Sequence, residues 1–418
     1  MSEFGATAGS ADAPEPTPVP LLAAPVAGVP PVVDTADGVR KAADQLAAGT
    51  GPLAVDAERA SGFRYSPRAY LIQLRRRDAG TVLIDPIPVA AELDPLIAVV
   101  NDLDWTLHAA DQDLPGLADL GLTPMRLYDT ELAGRLAGFE RVGLAAMVER
   151  LLGFGLAKGH GAADWSKRPL PDAWLNYAAL DVELLPELRD AIAAELSAQG
   201  KTDWAAEEFE YIRTATRSTP RTDRWRRTSQ IHTLRRPRQL AVVRELWTTR
   251  DNLARNRDIA PGRILPDAAI VAAASVVPST VDELRRLSVF GGPRQRRLSR
   301  TWLDAIERAR ALPTEELPPA SQPFDGPPPP NRWARRNPEA ADRLTAARAA
   351  MTGLSEQVRI PTENLLVPDL LRRLCWDGVR SGDLARAEAV DEYLRAGGAR
   401  AWQRELVVPR LVAAFGSS

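Results

Sequence analysis

Four acidic residues and one tyrosine stand in local patterns that would direct their side chains toward one point. Asp56 and Glu58 are two residues apart in the β-like run LAVDAE, so both would project from the same face of a strand. Tyr177 and Asp181 in YAALD are four residues apart in a helical pattern and also share a face. Asp113 follows the apolar-leaning run WTLHAA and opens a helical segment. The sequence therefore predicts a strand, a strand end and a helix that converge on a carboxylate cluster.

Such a cluster has a specific chemical use. Carboxylates at one point repel one another unless cations lie between them. Hard divalent ions such as Mg²⁺ prefer oxygen ligands, and two of them roughly 3.5–4 Å apart stabilise the attacking and leaving oxygens of a phosphodiester displacement. An isolated DxE or YxxxD pattern is more often a solvated face, so the prediction depends on all of these patterns occurring together.

The order and wording of these motifs resemble the DEDD superfamily of 3′–5′ exonucleases in its tyrosine subclass, and most closely the ribonuclease D family. The first motif is LAVDAERASGFRYSPRAYLIQL, the second is HAADQDL, and the third is DWSKRPLPDAWLNYAALDVELLPEL, which is the most specific. Ala57 stands where the family often has Thr. In the second motif, Asp113 is preferred to Asp111 because it aligns with the EDL-like ending of the family.

The resemblance implies a function and a role for each residue. The implied activity is removal of nucleotide monophosphates from RNA 3′ ends, with trimming of precursor tRNA and other structured RNAs. Asp56, Glu58 and Asp181 would hold two divalent ions, Mg²⁺ or Mn²⁺, Asp113 would complete the second ion's shell, and Tyr177 would position the attacking water. Two alternatives stay open: a DNA-directed exonuclease of the same superfamily, and a non-catalytic RNA-binding scaffold.

Length and periodicity divide the chain of 418 residues into several domains. The predicted fold class is an α/β ribonuclease-H-like exonuclease domain followed by one or two all-α bundles. In the first bundle, the segment ELWTTRDNLARNRDIAPGRILPD resembles the helicase-and-RNase-D C-terminal (HRDC) domain. In the second, IPTENLLVPDLLRRLCW echoes RDIAPGRILPDAAIVAAA of the first, which predicts a diverged domain of the same kind. The predicted segments are a disordered Ala/Pro-rich tail (1–35), the exonuclease domain (36–200), a basic connector (201–237), an HRDC domain (238–312), a Pro-rich linker (313–331) and a second HRDC-like domain (332–415).

Charge is unevenly distributed along the chain. Residues 1–200 hold 16 basic and 28 acidic residues, whereas residues 201–310 hold 23 basic and 13 acidic ones. This arrangement suits an enzyme that acts on a polyanion, because arginines attract phosphate. The candidate substrate-binding residues are His108, Trp165, Lys167, Arg168, Arg224, Arg226 and Arg227. Each has a structural alternative: His108, Trp165 and nearby Trp225 as core residues, and the arginines as a solvated face.

Other features limit the function. The sequence contains neither a phosphate-binding GK[ST] loop nor a Ser/His/Asp hydrolase motif, so NTP hydrolysis and acyl transfer have no support. The single cysteine, Cys375, excludes an intrachain disulfide. No apolar stretch is long enough to predict a membrane span, and the N-terminal segment lacks the pattern of a signal peptide. We therefore expect a cytoplasmic monomer that does not contact membranes.

Overall fold

A computed structural model of the protein describes residues 19–157, 159–215, 223–320, 326–378 and 386–416. Its strands are β1 (Leu21–Leu22), β2 (Val32–Val33), β3 (Thr50–Arg59), β4 (Ala69–Arg77), β5 (Gly80–Ile84), β6 (Asp104–Leu107), β7 (Arg126–Asp129) and β8 (Gly155–Leu156). Six of them form one sheet in the order β2-β5-β4-β3-β6-β7. Strands β3, β4 and β5 pair antiparallel, while β6 and β7 continue the sheet in parallel.

Helices cover this sheet, which confirms the predicted α/β class. They are α1 (Ala36–Ala47), α2 (Pro86–Val89), α3 (Asp94–Val100), α4 (Leu114–Ala118), α5 (Thr130–Leu136), α6 (Leu144–Leu152), α7 (Asp172–Glu183), α8 (Leu185–Ala198) and α9 (Thr202–Thr214). Helices α7 and α8 are separated at Leu184, whose ψ of 7° departs from helical geometry. Helix α9 buries Ala205 and Phe209 in the exonuclease core, so this part of the predicted connector belongs to the first domain.

The prediction of a disordered tail over residues 1–35 is wrong for residues 19–35, and residues 1–18 lie outside the described part of the chain. This segment is too short to form a core of its own, but it adds strands to the exonuclease domain. Strand β1 pairs with β8, and β2 pairs with β5. In the chain between β1 and β2, the carbonyl of Ala23 accepts a hydrogen bond from Asn176 of α7 at 2.9 Å. We call residues 20–28 the N-terminal strap.

Two helical bundles follow. The middle bundle contains α10 (Pro237–Arg257), α11 (Pro261–Ile264), α12 (Asp267–Val276), α13 (Val281–Arg286), α14 (Pro293–Arg297) and α15 (Ser299–Ala311). The C-terminal bundle contains α16 (Trp333–Arg336), α17 (Pro338–Val358), α18 (Thr362–Leu365), α19 (Pro368–Asp377), α20 (Ala387–Ala396) and α21 (Ala401–Gly416).

The two bundles begin with the same arrangement, in the segments whose sequences echo each other. Helices α10 and α17 each span 21 residues and end at a residue in the left-handed conformation, Asp258 in one and Arg359 in the other. Each is followed by a four-residue helix and then by a helix of ten residues. Both bundles therefore use the same supersecondary unit.

The bundles join the exonuclease domain differently. The C-terminal bundle shares the main apolar core with it, and the buried Lys201 donates from Nζ to the carbonyls of Leu136 and Val358. The middle bundle has its own core. It holds the loop after β3 instead, where Asp258 accepts the backbone N–H of Ser66 at 3.0 Å. None of the helices in the described part of the chain is both long and apolar enough to cross a membrane.

Candidate active site

Three of the predicted acids meet at one point. One carboxylate oxygen from each of Asp56, Glu58 and Asp181 lies within 4.8 Å of the other two. Asp56 and Glu58 project from β3, which has neighbours on both sides in the sheet. Asp181 comes from α7, which packs against β3, β4 and β5. The period of two in the strand and the i, i+4 spacing in the helix thus produce the predicted convergence.

Asp113 lies at the same site. Its carboxylate is buried and adds to the raised pKa of Glu58, and the Asp56 carboxylate adds to the raised pKa of Asp113. It also forms an ion pair with Arg59, in which Nε and Oδ1 are 3.5 Å apart. Asp111 is exposed. Of the two acids in the second motif, Asp113 is therefore the one that faces the cluster.

Burial raises the pKa of all four carboxyl groups, and repulsion by neighbouring carboxylates raises the pKa of Glu58, Asp113 and Asp181 further. The pKa of Glu58 rises to about 9, that of Asp113 to about 8 and that of Asp56 to about 6. The pKa of Asp181 also lies well above its usual value. Within the described residues, Arg59 is the cation that opposes the shifts of Asp56, Glu58 and Asp113. A set of oxygen donors with so little compensating charge fits divalent cations.

Tyr177 lies one helical turn before Asp181, and the hydroxyl interacts with the Asp181 carboxylate. Its ring is enclosed by the segment before α7. The ring centroids of Trp165 and Tyr177 are 6.5 Å apart, and His160 meets the tyrosine edge-on at 6.1 Å. Gly159 lies so close that a β-carbon there would be 2.1 Å from the tyrosine Cδ2. The position of the Tyr177 hydroxyl is therefore fixed by its surroundings.

Asp129, at the end of β7, is a positioning residue that sequence reasoning missed. Its buried carboxylate accepts the backbone N–H groups of Ala109, Ala110, Glu131 and Leu132 at 2.8–3.2 Å. Ala109 is in the left-handed conformation, and this turn leads directly to Asp113. The signal in the sequence was the run DTELAGRL, in which an Asp precedes a helical segment and caps it.

Several predicted substrate-binding residues have structural roles. Trp165 is fully buried in a small core beside the site, which is a correction to its predicted place in a substrate channel. Arg168 is held by the carboxylate of Asp85 and by the carbonyl of Tyr70 at 2.7 Å, so it fixes the segment before α7. His108 is bound through Nδ1 to the hydroxyl of Thr130 at 2.9 Å, and burial lowers its pKa to about 4. Lys167 is exposed.

The arginines of the connector lie on the middle bundle. Trp225 is buried in the core of that bundle, which confirms it as a packing residue. Arg226 is half-buried over the Trp225 ring and donates to the carbonyl of Pro319 at 3.1 Å. Arg224 is exposed and lies over the ring of Trp247. Arg227 is exposed as well. Of the three predicted phosphate contacts, Arg224 and Arg227 thus remain accessible, whereas Arg226 has a structural role.

Three family models match successive parts of the chain. Residues 30–197 match the model of a 3′–5′ exonuclease domain, and residues 239–306 match the HRDC domain. Residues 326–415 match the C-terminal domain of 3′ to 5′ exonucleases. This last match assigns the C-terminal bundle to a different model from the second HRDC-like domain predicted from the sequence. It also extends the region to residue 326.

Similar proteins have been named and solved. The chain is 32% identical to ribonuclease D of Gluconacetobacter diazotrophicus over 288 residues, which are 66% of this chain and 71% of that one. A protein from Bifidobacterium adolescentis has a similar crystal structure, with 40% identity, a TM-score of 0.87 and coverage of 96% of this chain and 100% of that one. RNase D of Escherichia coli, described as an exoribonuclease involved in structured RNA processing, has 26% identity and a TM-score of 0.65, covering 88% and 99%.

Proposed function

The chain belongs to the ribonuclease D family, and from this membership we propose which residues carry out its reaction and which RNAs it shortens. It is a metal-dependent 3′–5′ exoribonuclease that removes nucleotide monophosphates from RNA 3′ ends. We assign the metal ligands to Asp56, Glu58, Asp113 and Asp181, and the ions to Mg²⁺ or Mn²⁺. When bound, such ions neutralise the carboxylates and the charge that develops on the phosphodiester.

The protein residues have separate tasks in this reaction. Asp56 and Glu58 provide ligands from a central strand, so the site is built on a rigid element. Tyr177 forms a hydrogen bond with the attacking water, which it orients toward the terminal phosphate. Burial raises the pKa of Tyr177, so its hydroxyl stays protonated at neutral pH. The neutral hydroxyl therefore orients the water, and Tyr177 does not act as a base.

The substrate proposed for this enzyme is the 3′ end of precursor tRNA or of another structured RNA. Two observations support the proposal: the similarity to an exoribonuclease involved in structured RNA processing, and the basic residues of the middle bundle. Arg224, Arg227 and Arg235 are exposed there and suited to contact phosphates outside the active site. We further propose that the enzyme acts as a cytoplasmic monomer, since one exonuclease domain contributes all five site residues.

The observation that carries the function is the convergence of Asp56, Glu58 and Asp181 within 4.8 Å. A direct test incubates the purified protein with a 3′-extended tRNA and a DNA strand of the same sequence, with Mg²⁺, Mn²⁺ or EDTA. We expect stepwise release of nucleotide 5′-monophosphates from the RNA with either metal and none with EDTA. Preferential cleavage of the DNA would identify a DNA-directed exonuclease, and no cleavage of either strand would leave only a binding role.

Point substitutions can test the role of the exposed arginines of the middle bundle. The C-terminal bundle shares the main core with the exonuclease domain, so removing everything after residue 215 would expose that core. We instead compare Arg227→Glu/Arg235→Glu with Arg335→Glu/Arg336→Glu, two exposed arginines of the C-terminal bundle. The first pair is expected to weaken binding of the tRNA about tenfold and to reduce the salt slope by about 0.9 per lost phosphate contact. Equal effects of the two pairs would contradict a specific surface.

A further inference from the structure

Arg59 is a cation built into the carboxylate cluster. It follows Glu58 directly at the end of β3, where the pairing with β4 is irregular because Arg59 pairs with Ala69 and not with Tyr70. Regular alternation along a strand would send Arg59 to the face opposite Glu58. Its guanidinium nevertheless reaches the site, where Nε is 3.5 Å from Oδ1 of Asp113.

The Arg59 side chain is partly exposed, unlike that of a residue used only for packing. Its side chain is 30% exposed, whereas that of its partner Asp113 is 8% exposed. A second bond runs from Nη2 to Oε1 of the exposed Gln112 at 3.3 Å, at the limit of a hydrogen bond. The guanidinium thus lies at the opening of the site, held by one buried carboxylate and one weak contact.

Charge counting indicates what this cation would bind. Asp56, Glu58, Asp113 and Asp181 carry four negative charges when deprotonated, and two divalent ions carry four positive ones. The loaded cluster is therefore neutral, and the charge of Arg59 remains in excess. A phosphodiester carries one negative charge, and a guanidinium binds its oxygens through paired N–H donors.

We propose that Arg59 binds the phosphate of the 3′-terminal nucleotide and, in the metal-free protein, acts as a counter-cation to Asp113. The inference rests on the proposed metal site and goes beyond it, since it gives Arg59 two opposed effects. As a neighbouring cation, Arg59 weakens the binding of divalent ions. As a phosphate ligand, it strengthens the binding of substrate and of the nucleotide product.

The opposition of these effects provides the test. Arg59→Gln removes the charge, and Arg59→Lys keeps the charge but loses the paired donors. The control is Arg126→Gln, which removes an arginine from an ion pair with Asp104 at the surface. Calorimetry measures the binding of Mn²⁺ alone, and then of adenosine 5′-monophosphate in the presence of Mn²⁺. For Arg59→Gln we expect Mn²⁺ to bind about 3- to 10-fold more tightly and the nucleotide about 10- to 100-fold more weakly, with Arg59→Lys intermediate for the nucleotide.

Two outcomes would overturn the proposal. If Arg59→Gln binds the nucleotide as tightly as the wild type does, Arg59 does not contact the phosphate. Weaker Mn²⁺ binding in the same variant would show that Arg59 serves only to hold Asp113 in place. Failure of the proposed function looks different, because the wild-type protein would then bind no Mn²⁺ and release no monophosphate.

Discussion

Asp129 accepts the backbone N–H of Ala110 at 2.8 Å and thereby fixes the turn that presents Asp113 to the metal site. The same carboxylate caps α5, so one side chain joins the end of β6 to the start of that helix. All four donors are backbone groups. The geometry of the turn therefore depends on the charge of Asp129, although Asp129 is not one of the proposed metal ligands.

Replacing Asp129 with Asn tests this relationship. The amide keeps one acceptor oxygen but presents an NH₂ group to backbone donors, so at least one buried N–H is left unsatisfied at a cost of about 1–3 kcal/mol. We expect a lower free energy of unfolding in urea and a reduced kcat through displacement of Asp113. Asp104→Asn is the matched control, because Asp104 pairs with Arg126 at the surface. Equal effects of the two substitutions would contradict the positioning role.

The pH dependence of the metal-free protein follows from the raised pKa values. The pKa of Glu58 is about 9 in the folded protein against 4.5 when unperturbed, and that of Asp113 is about 8 against 3.8. Between these limits the folded state binds more protons than the unfolded state, so stability falls as the pH rises from about 4 to 9. Divalent ions bind only the deprotonated groups and should restore stability most at high pH.

Glu58→Gln provides the measurement. In EDTA at pH 8, this variant should have a higher Tm than the wild type. Burial and the three neighbouring acids raise the pKa of Glu58 to about 9, so at pH 8 the wild type must bind a proton as it folds, whereas glutamine has no such cost. Its Tm should also depend less on pH, and addition of Mn²⁺ should raise it less. Thermal unfolding at pH 5 to 9, with EDTA and with Mn²⁺, checks these expectations. A Tm below that of the wild type at pH 8 in EDTA would show that the carboxyl group of Glu58 does not destabilise the metal-free protein.

The position of the Tyr177 ring can be changed without altering the tyrosine. A methyl group at residue 159 would collide with the ring, so Gly159→Ala should displace the hydroxyl. A misplacement of about 1 Å can reduce a rate by about 10²-fold, similar to the loss expected for Tyr177→Phe. Gly143→Ala is the control, because nothing lies within 4 Å of a β-carbon there. Single-turnover rates that match the wild type in Gly159→Ala would show that the segment yields to the methyl group.

The sequence was sufficient to predict the parts of the site that depend on local periodicity. Asp56 and Glu58 share a strand face, and Tyr177 and Asp181 share a helix face, so spacing alone brings each pair together. The role of Arg168 could not be predicted in this way, because its partner Asp85 is 83 residues away and the pair exists only in the assembled fold. The order of residues 19–35 was missed for a similar reason, since strands β1 and β2 of this segment pair with β8 and β5.

The strap gives a final prediction, because it crosses the helix that carries Tyr177 and Asp181. Its contacts lie on either side of these two residues: Asn176 donates to the carbonyl of Ala23, and Glu183 accepts the N–H of Val26 at 3.1 Å. The carbonyl of Pro20 also accepts the N–H of Gly155, in the strand that leads to Gly159. The strap therefore supports both the catalytic helix and the segment that encloses the tyrosine ring.

Deleting residues 1–28 removes these three hydrogen bonds, whereas deleting residues 1–18 removes none of them. Each of the three bonds contributes about 0.5–1.5 kcal/mol, so the longer deletion should lower the free energy of unfolding by about 1.5–4.5 kcal/mol. We also expect kcat to fall about 3- to 10-fold, since α7 is less firmly held, with faster hydrogen exchange of the α7 amides. Mn²⁺ affinity measured in parallel separates a displaced tyrosine from a lost ligand. If the two deletions match in stability, exchange and kcat, the strap has no positioning role and only covers the surface of the exonuclease domain.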